Sequence, residues 1–153
     1  MTSTREHRYY EDVAVGDEYT EDHLPTTEQV EDYLKTWMSS SGPVANRFSN
    51  NDEAQRLGLA RPIVPGNMST AMINRTLTNW MGPFGRLVTL DVSYRRPVFH
   101  NDPLKCVCVV IDAADDDADP GQRAIVRIDV HLETEDGERP VQGTAEVELP
   151  RRT

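Results

Sequence analysis

The chain has 153 residues, a formal net charge of −10, 37% hydrophobic and 27% charged residues. That length suits one domain with one core, and the modest apolar fraction fits a protein that buries further surface in an oligomer. The acidity excludes nucleic acid and anionic membrane surfaces as partners and weighs against an acidic carrier protein, while a small anionic ligand stays open. Met1 to Asp12 is polar, and no apolar run reaches transmembrane length, so the expected location is the cytoplasm.

Residues 1–8 and 150–153 read as frayed ends of a single domain spanning 1–153. Tyr9-Tyr10-Glu11-Asp12 with Val13, Val15 and Gly16-Asp17 reads as a docking edge, and Glu18 to Leu24 as a short strand. Thr26 is placed to cap a helix, with Gln29 three later to close a capping box, and Val30, Tyr33, Leu34 and Trp37 supply its apolar side. Ser39 to Asn51 is a polar connection with Phe48 as its one large apolar group. Asn51 is the expected cap of a short helix ended by Gly58.

Arg61 to Gly82 is the central stretch. A Pro65-Gly66 turn opens onto about four helical turns, with Met68, Ala71, Met72, Leu77, Trp80 and Met81 close to the spacing of one buried face. The first N–H groups of a helix have no partner within it, and the end carries partial positive charge. Gly66 lets an oxygen atom approach them closely. The stretch is either an oxyanion site or simply a helix start.

Everything after Gly82-Pro83 reads as strand: Arg86 to Val98, Leu104 to Ala114, Gln122 to Glu133 and Pro140 to Leu149, with turns at His100-Asn101-Asp102-Pro103, Asp115 to Gly121 and Glu135-Asp136-Gly137-Glu138. Asp115-Asp116-Asp117 reads as a solvated hairpin tip. The expected fold is α+β, four antiparallel strands joined by hairpins and wrapped around the long helix. Cys106 and Cys108 share a strand face and read as buried, reduced thiols. No metal site is expected, because no second pair or nearby His completes one, and no cofactor is expected either. His7 and His23 are expected at the surface, His131 on the outer face of its strand, and His100 in a turn.

Several words of the sequence, in this order, resemble the MaoC-like branch of the hotdog fold, whose best-known members are (R)-specific enoyl-CoA hydratases and acyl dehydratases. They are Tyr10-Glu11-Asp12-Val13-x-Val15-Gly16-Asp17, Thr27 leading a helix, Ala54 with Gly58, Arg61-Pro62-Ile63-Val64-Pro65-Gly66-Asn67-Met68, and Tyr94-Arg95-Arg96-Pro97-Val98. Together they span nearly the whole chain. The resemblance implies a hotdog domain that binds an acyl thioester such as acyl-CoA. It also implies pairing into a homodimer, or a heteromer with a dyad-bearing hotdog chain. Gly66 matches the glycine whose N–H polarises the thioester carbonyl, with Asn67 beside it. Asn46, Phe48 and Met68 are the implied pocket residues, and Arg96, Arg95 and Arg61 are candidates for the coenzyme A phosphates.

The family's signature loop reads Gly-Asp-x-Asn-Pro-Ile-His-x-Asp-x-x-x-Ala. Laid on this chain without gaps from Gly42 to Ala54, its catalytic Asp falls on Pro43, its catalytic His on Phe48 and its second Asp on Asn50. The spacing from the His place to the turn glycine is kept. In the family the Asp and His hold and activate the water that adds to an enoyl thioester. Neither Pro nor Phe can take and return a proton, so that hydration chemistry is expected to be absent or very weak. Asn46, Arg47 and Ser39-Ser40-Ser41 lie in or just before the loop, but serines without a partnered base are poor nucleophiles. Two readings follow. One is a non-catalytic or accessory subunit; Trp80-Met81-Gly82-Pro83 resembles partner subunits in steroid side-chain degradation. The other is an enzyme with a repurposed pocket, a dehydratase, isomerase or cyclase working through the oxyanion donor.

Overall fold

A computed structural model describes residues 6–37, 46–113 and 123–152. The Ser39-Ser40-Ser41 run, Pro43, and the acidic Asp115 to Gly121 segment lie outside the described residues. A 3-10 turn, Tyr10–Asp12, leads into β1 (Glu18–His23), then α1 (Thr27–Trp37), α2 (Asn51–Arg56) and α3 (Gly66–Met81). Four strands complete the chain: β2 (Arg86–Tyr94), β3 (Leu104–Asp112), β4 (Ala124–Thr134) and β5 (Val141–Leu149).

The five strands form one antiparallel sheet in the order β1-β3-β4-β5-β2. The expectation of four strands joined in turn by hairpins is therefore corrected. β3–β4 and β4–β5 are neighbouring hairpins, but β2 pairs with β5, and residues 95–103 carry the chain across to β3. Alternation gives each strand its faces and says nothing about its neighbours. Ile63 bridges Phe99, and the Val64 amide donates to the Val98 carbonyl at 2.7 Å, so the segment before α3 is stitched to this crossover.

α3 lies on the apolar face of the sheet. Its buried residues are Ser69, Met72, Ile73, Thr76, Leu77, Trp80 and Met81, a 3-4 repeat along one side. The face expected from apolar residues alone is thus rotated: Ala71 is exposed and Met68 half-buried, while the hydroxyls of Ser69 and Thr76 are inside. The sheet supplies Cys106, Cys108, Val126, Ile128, Val130, Leu132, Ala145 and Val147 to the same core. Both cysteines are free and buried on one face, and the Cys108 thiol is pushed up by its hydrogen bond to Cys106 and by burial.

Two caps are visible. The Gln29 amide donates to Thr26 Oγ1 at 3.1 Å, so Thr26 does cap α1, but the Thr26 amide bonds to the Leu24 carbonyl, which leaves the capping box one-sided. For α2 the cap is Asn50, not Asn51, its side chain accepting from the Glu53 amide at 3.1 Å. At the other end of α3, Arg8 Nε donates to the Trp80 carbonyl at 2.6 Å and its guanidinium lies 4.9 Å from the Trp80 ring, while His7 stacks on Phe84 at 4.5 Å.

β1 is fastened to α3 by polar groups. Glu21 accepts from Tyr19 Oη at 2.7 Å, Asn79 Nδ2 at 2.9 Å and Thr76 Oγ1 at 3.2 Å, and His23 Nε2 stands 2.8 Å from the same threonine hydroxyl. His23 is therefore not a surface residue; its side chain is 8% exposed. Burial alone would raise the Glu21 pKa, but the three hydrogen bonds outweigh it and hold the carboxyl below its ordinary value. Burial and the bond to Glu21 push Tyr19 up to about 12. Burial lowers the His23 pKa against the pull of Glu21.

Both Glu21 and His23 have folded-state pKa values below those of the unfolded chain. Stability is then fully present above the unfolded values and falls as pH falls, first below 6.5 through His23 and further below 4.5 through Glu21. His131, whose pKa is lowered by burial and by Arg139, acts in the same sense. The urea midpoint is expected to drop between about pH 7 and about pH 5, less steeply in His23→Gln. A midpoint flat or rising over that interval would contradict the buried, neutral imidazole.

Candidate functional site

The helix mouth is built from three short pieces of chain. Pro65 is the residue before α3, with φ −57° and ψ 140°, and it offers no side-chain cap. Its carbonyl accepts from the Met68 amide at 3.0 Å and the Ser69 amide at 3.2 Å. The Gly66 and Asn67 amides have no protein partner among the described residues. Two N–H groups at a helix start thus remain available to an oxygen atom, at the end where the helix dipole is positive.

Space explains the glycine. A Cβ at Gly66 would stand 3.2 Å from two carbons of the Tyr94 ring, tighter than ordinary contact. Tyr94 ends β2, and its hydroxyl lies 2.5 Å from Thr70 Oγ1, one turn into α3. The ring is 53% exposed, so it forms a rim beside the turn. Tyr94 is the site residue that residue-by-residue reading of the sequence passes over. Its signal is an aromatic group at a strand end directly before Arg95-Arg96-Pro97.

Residues 46–50 reach the same turn from the other side. The Ile63 amide donates to the Arg47 carbonyl at 3.0 Å, tying residues 46–50 to the segment that enters the turn. Asn46 is a brace: its Oδ1 accepts from the Phe48 amide at 2.9 Å and from Ser49 Oγ at 3.3 Å. Phe48 is half-buried and packs against the core cluster, as does Met68, and the Arg47 guanidinium lies 4.5 Å from the Phe48 ring. Asn50, where the resemblance expects a second Asp, is taken up with capping α2.

The three arginine candidates go to different surroundings. Arg61 bonds Asp102 at 2.6 Å, donates to the His100 carbonyl and lies 4.8 Å from the Phe99 ring. Arg96 pairs with Glu138 at 2.8 Å. Arg95 turns to the outer sheet face, where it lines a cleft with His131 and Arg139. His100 is 6% exposed; Nδ1 stands 3.2 Å from Thr27 Oγ1, and Nε2 is buried with no hydrogen-bond partner among the described residues. His131 is on the outer face as expected, yet it too is buried. Chemically, the mouth can polarise a carbonyl through two amides. Beside it the described loop residues bring Asn46, Arg47 and Phe48, and Phe48 has no group that exchanges protons near neutral pH.

No family model matches the chain, and no curated protein matches it. Solved structures do. R-hydratase PhaJ1 from Pseudomonas aeruginosa superposes with a TM-score of 0.76 at 19% identity, over 94% of this chain and 86% of its own. The MaoC-like dehydratase from Rhodospirillum rubrum gives 0.74 at 22% identity, over 95% and 99%. The ChsH1–ChsH2 complex from Mycobacterium tuberculosis gives 0.71 at 15% identity, over 89% and 98%. With one long helix laid on a five-stranded antiparallel sheet, and a Pro-Gly turn at its mouth, the chain has the hotdog fold of the MaoC-like (R)-hydratases and dehydratases.

Proposed function

We propose that this chain binds an acyl thioester, such as an acyl-CoA, at the Pro65-Gly66 turn and serves as an accessory subunit of an enoyl-CoA hydratase or acyl dehydratase. The observation that carries the reading is the pair of open amides, Gly66 and Asn67, beside a loop that has Phe48 where the family has its catalytic His. The amides bind the thioester carbonyl; Asn46, Phe48 and Met68 line the acyl pocket. Pro43 and Phe48 leave hydration without its acid and base. Arg96 and Arg61 remain candidates for the phosphates of coenzyme A, each at the cost of opening an ion pair.

A partner chain supplies the Asp and His. In support, β2 is an edge strand of nine residues whose outer side is unpaired, and Val88 and Tyr94 on it are 42% and 53% exposed. A second hotdog sheet adding there would bury that edge. Two neighbours of this fold are themselves complexes of two chains, ChsH1–ChsH2 and HadBC.

The test is mixing. Purified alone, the chain is expected to hydrate an enoyl-CoA little or not at all; combined with the dyad-bearing hotdog chain that co-purifies from its host, it is expected to restore activity that the partner alone lacks. A partner equally active without this chain would overturn the accessory role.

A further inference from the structure

The outer face of the sheet, away from α3, carries a second feature. Across it the register sets Ser93 against Gln142 and Gln142 against His131, with Thr144 opposite Asp129 in the next row. At the end of these rows the Arg95 and Arg96 amides both donate to the Pro140 carbonyl, at 2.7 and 3.2 Å, which holds Arg95 beside Arg139. The result is a cleft of about 310 Å³ lined by these side chains and by Gly143.

Charge makes the cleft unusual. The chain carries net −10, and its arginines find acids readily: Arg96 has Glu138, Arg127 has Glu146 and Arg61 has Asp102. The guanidinium groups of Arg95 and Arg139, both lining the cleft, have no carboxylate, hydrogen-bond or ring partner among the described residues. Two like charges converge there, and Arg139 adds to burial in lowering the pKa of His131. The neutral imidazole, the Ser93 and Thr144 hydroxyls and the Gln142 amide are donors around them. Asp129, also in the lining, repels a large or highly charged anion from its end.

We propose that this cleft is a binding site for a small phosphate-type oxyanion, clamped between Arg95 and Arg139 and bonded by His131, Ser93 and Gln142. Paired guanidiniums match a tetrahedral oxyanion because each presents a fork of donors to two oxygens. The site does not depend on the thioester reading, since it lies on the opposite face of the sheet from α3.

Inorganic phosphate titrated into the whole chain at constant ionic strength, followed by calorimetry, is expected to bind saturably. Binding is expected to weaken by about tenfold or more in Arg139→Ala and in Arg95→Ala. Arg127→Ala, on the same face but ion-paired to Glu146, is expected to bind as the wild type does. Circular dichroism confirms that each variant is folded. No saturable binding by the wild type up to about 50 mM, or undiminished binding by the folded Arg95→Ala/Arg139→Ala double variant, would overturn the proposal. A parallel titration with coenzyme A separates the sources. If the double variant loses phosphate but keeps coenzyme A, the ligand is free phosphate; if it loses both, the phosphate is that of coenzyme A.

Discussion

Gly143→Ala is expected to destabilise the protein by about 3 kcal/mol or more, lowering Tm by about 6–12 °C in a chain of this length. An added Cβ would lie 1.9 Å from the Asp91 carbonyl oxygen and 2.8 Å from both the Asp91 carbonyl carbon and the Val92 Cα. All three are backbone atoms of the paired strand, so no side chain can rotate away. Relief requires β2 to part from β5 around the Val92–Gly143 pair. β2 also carries Tyr94 to its place beside Gly66, so the same substitution is expected to loosen the helix mouth. Gly137→Ala is the comparison: its φ of +82° makes it strained, but nothing lies within 4 Å, and a loss of about 1 kcal/mol is expected. Thermal melting of the two variants checks this. A Gly143→Ala protein within a degree or two of wild type would contradict the β2–β5 register.

Gly66→Pro has the second large expected effect, on chemistry more than on folding. Proline suits the first position of a helix, because its φ is already right and the missing N–H has no partner within the helix. The fold is therefore expected to survive with a loss of about 1 kcal/mol, as Tyr94 shifts and its bond to Thr70 weakens. What is removed outright is one of the two open amides proposed to polarise the thioester carbonyl. In the proposed complex with a dyad-bearing chain that is expected to cost about 10²–10³ in kcat, the usual worth of one such donor. Gly66→Ala meets the same Tyr94 ring but keeps its N–H. Comparing the two variants separates the loss of the donor from the crowding. Equal activities in Ala and Pro variants would mean that the turn acts through its shape alone.

The sequence displays some of this plainly. Long alternating runs rich in Val and Ile can hide one face only as strands, and an apolar repeat after a Pro-Gly turn can only be a helix, so element types and their order are legible. Neighbours in the sheet are not. β2 could pair with any strand presenting an apolar face, and its choice of β5 rests on the crossover stitched at Val64–Val98 and Ile63–Phe99. Buried polar residues were equally hidden. Thr76 and His23 are inside because each meets a partner from the other element, 53 residues away along the chain, and local polarity reads as exposure. The α2 cap passed to Asn50 because two asparagines stand side by side and only the chain's path decides which carboxamide reaches the Glu53 amide.

For the candidate site, the sequence singles out Gly66 and Phe48 because the words it shares with the resembled family keep their spacing. Tyr94 is legible only as one letter of the Tyr-Arg-Arg-Pro word, and its role comes from the contact with Gly66. The outer cleft has no linear signal at all, since Ser93, His131 and Arg139 come from separate segments joined by the register.

The most direct measurement is to offer an enoyl-CoA to the purified chain and follow binding and hydration in the same samples, for the wild type and Gly66→Pro. The account predicts that the wild type binds the thioester without hydrating it, and that Gly66→Pro binds it more weakly. Steady turnover by the wild type alone, abolished in Gly66→Pro, would contradict it, because the turn would then be serving a catalytic acid and base within this chain.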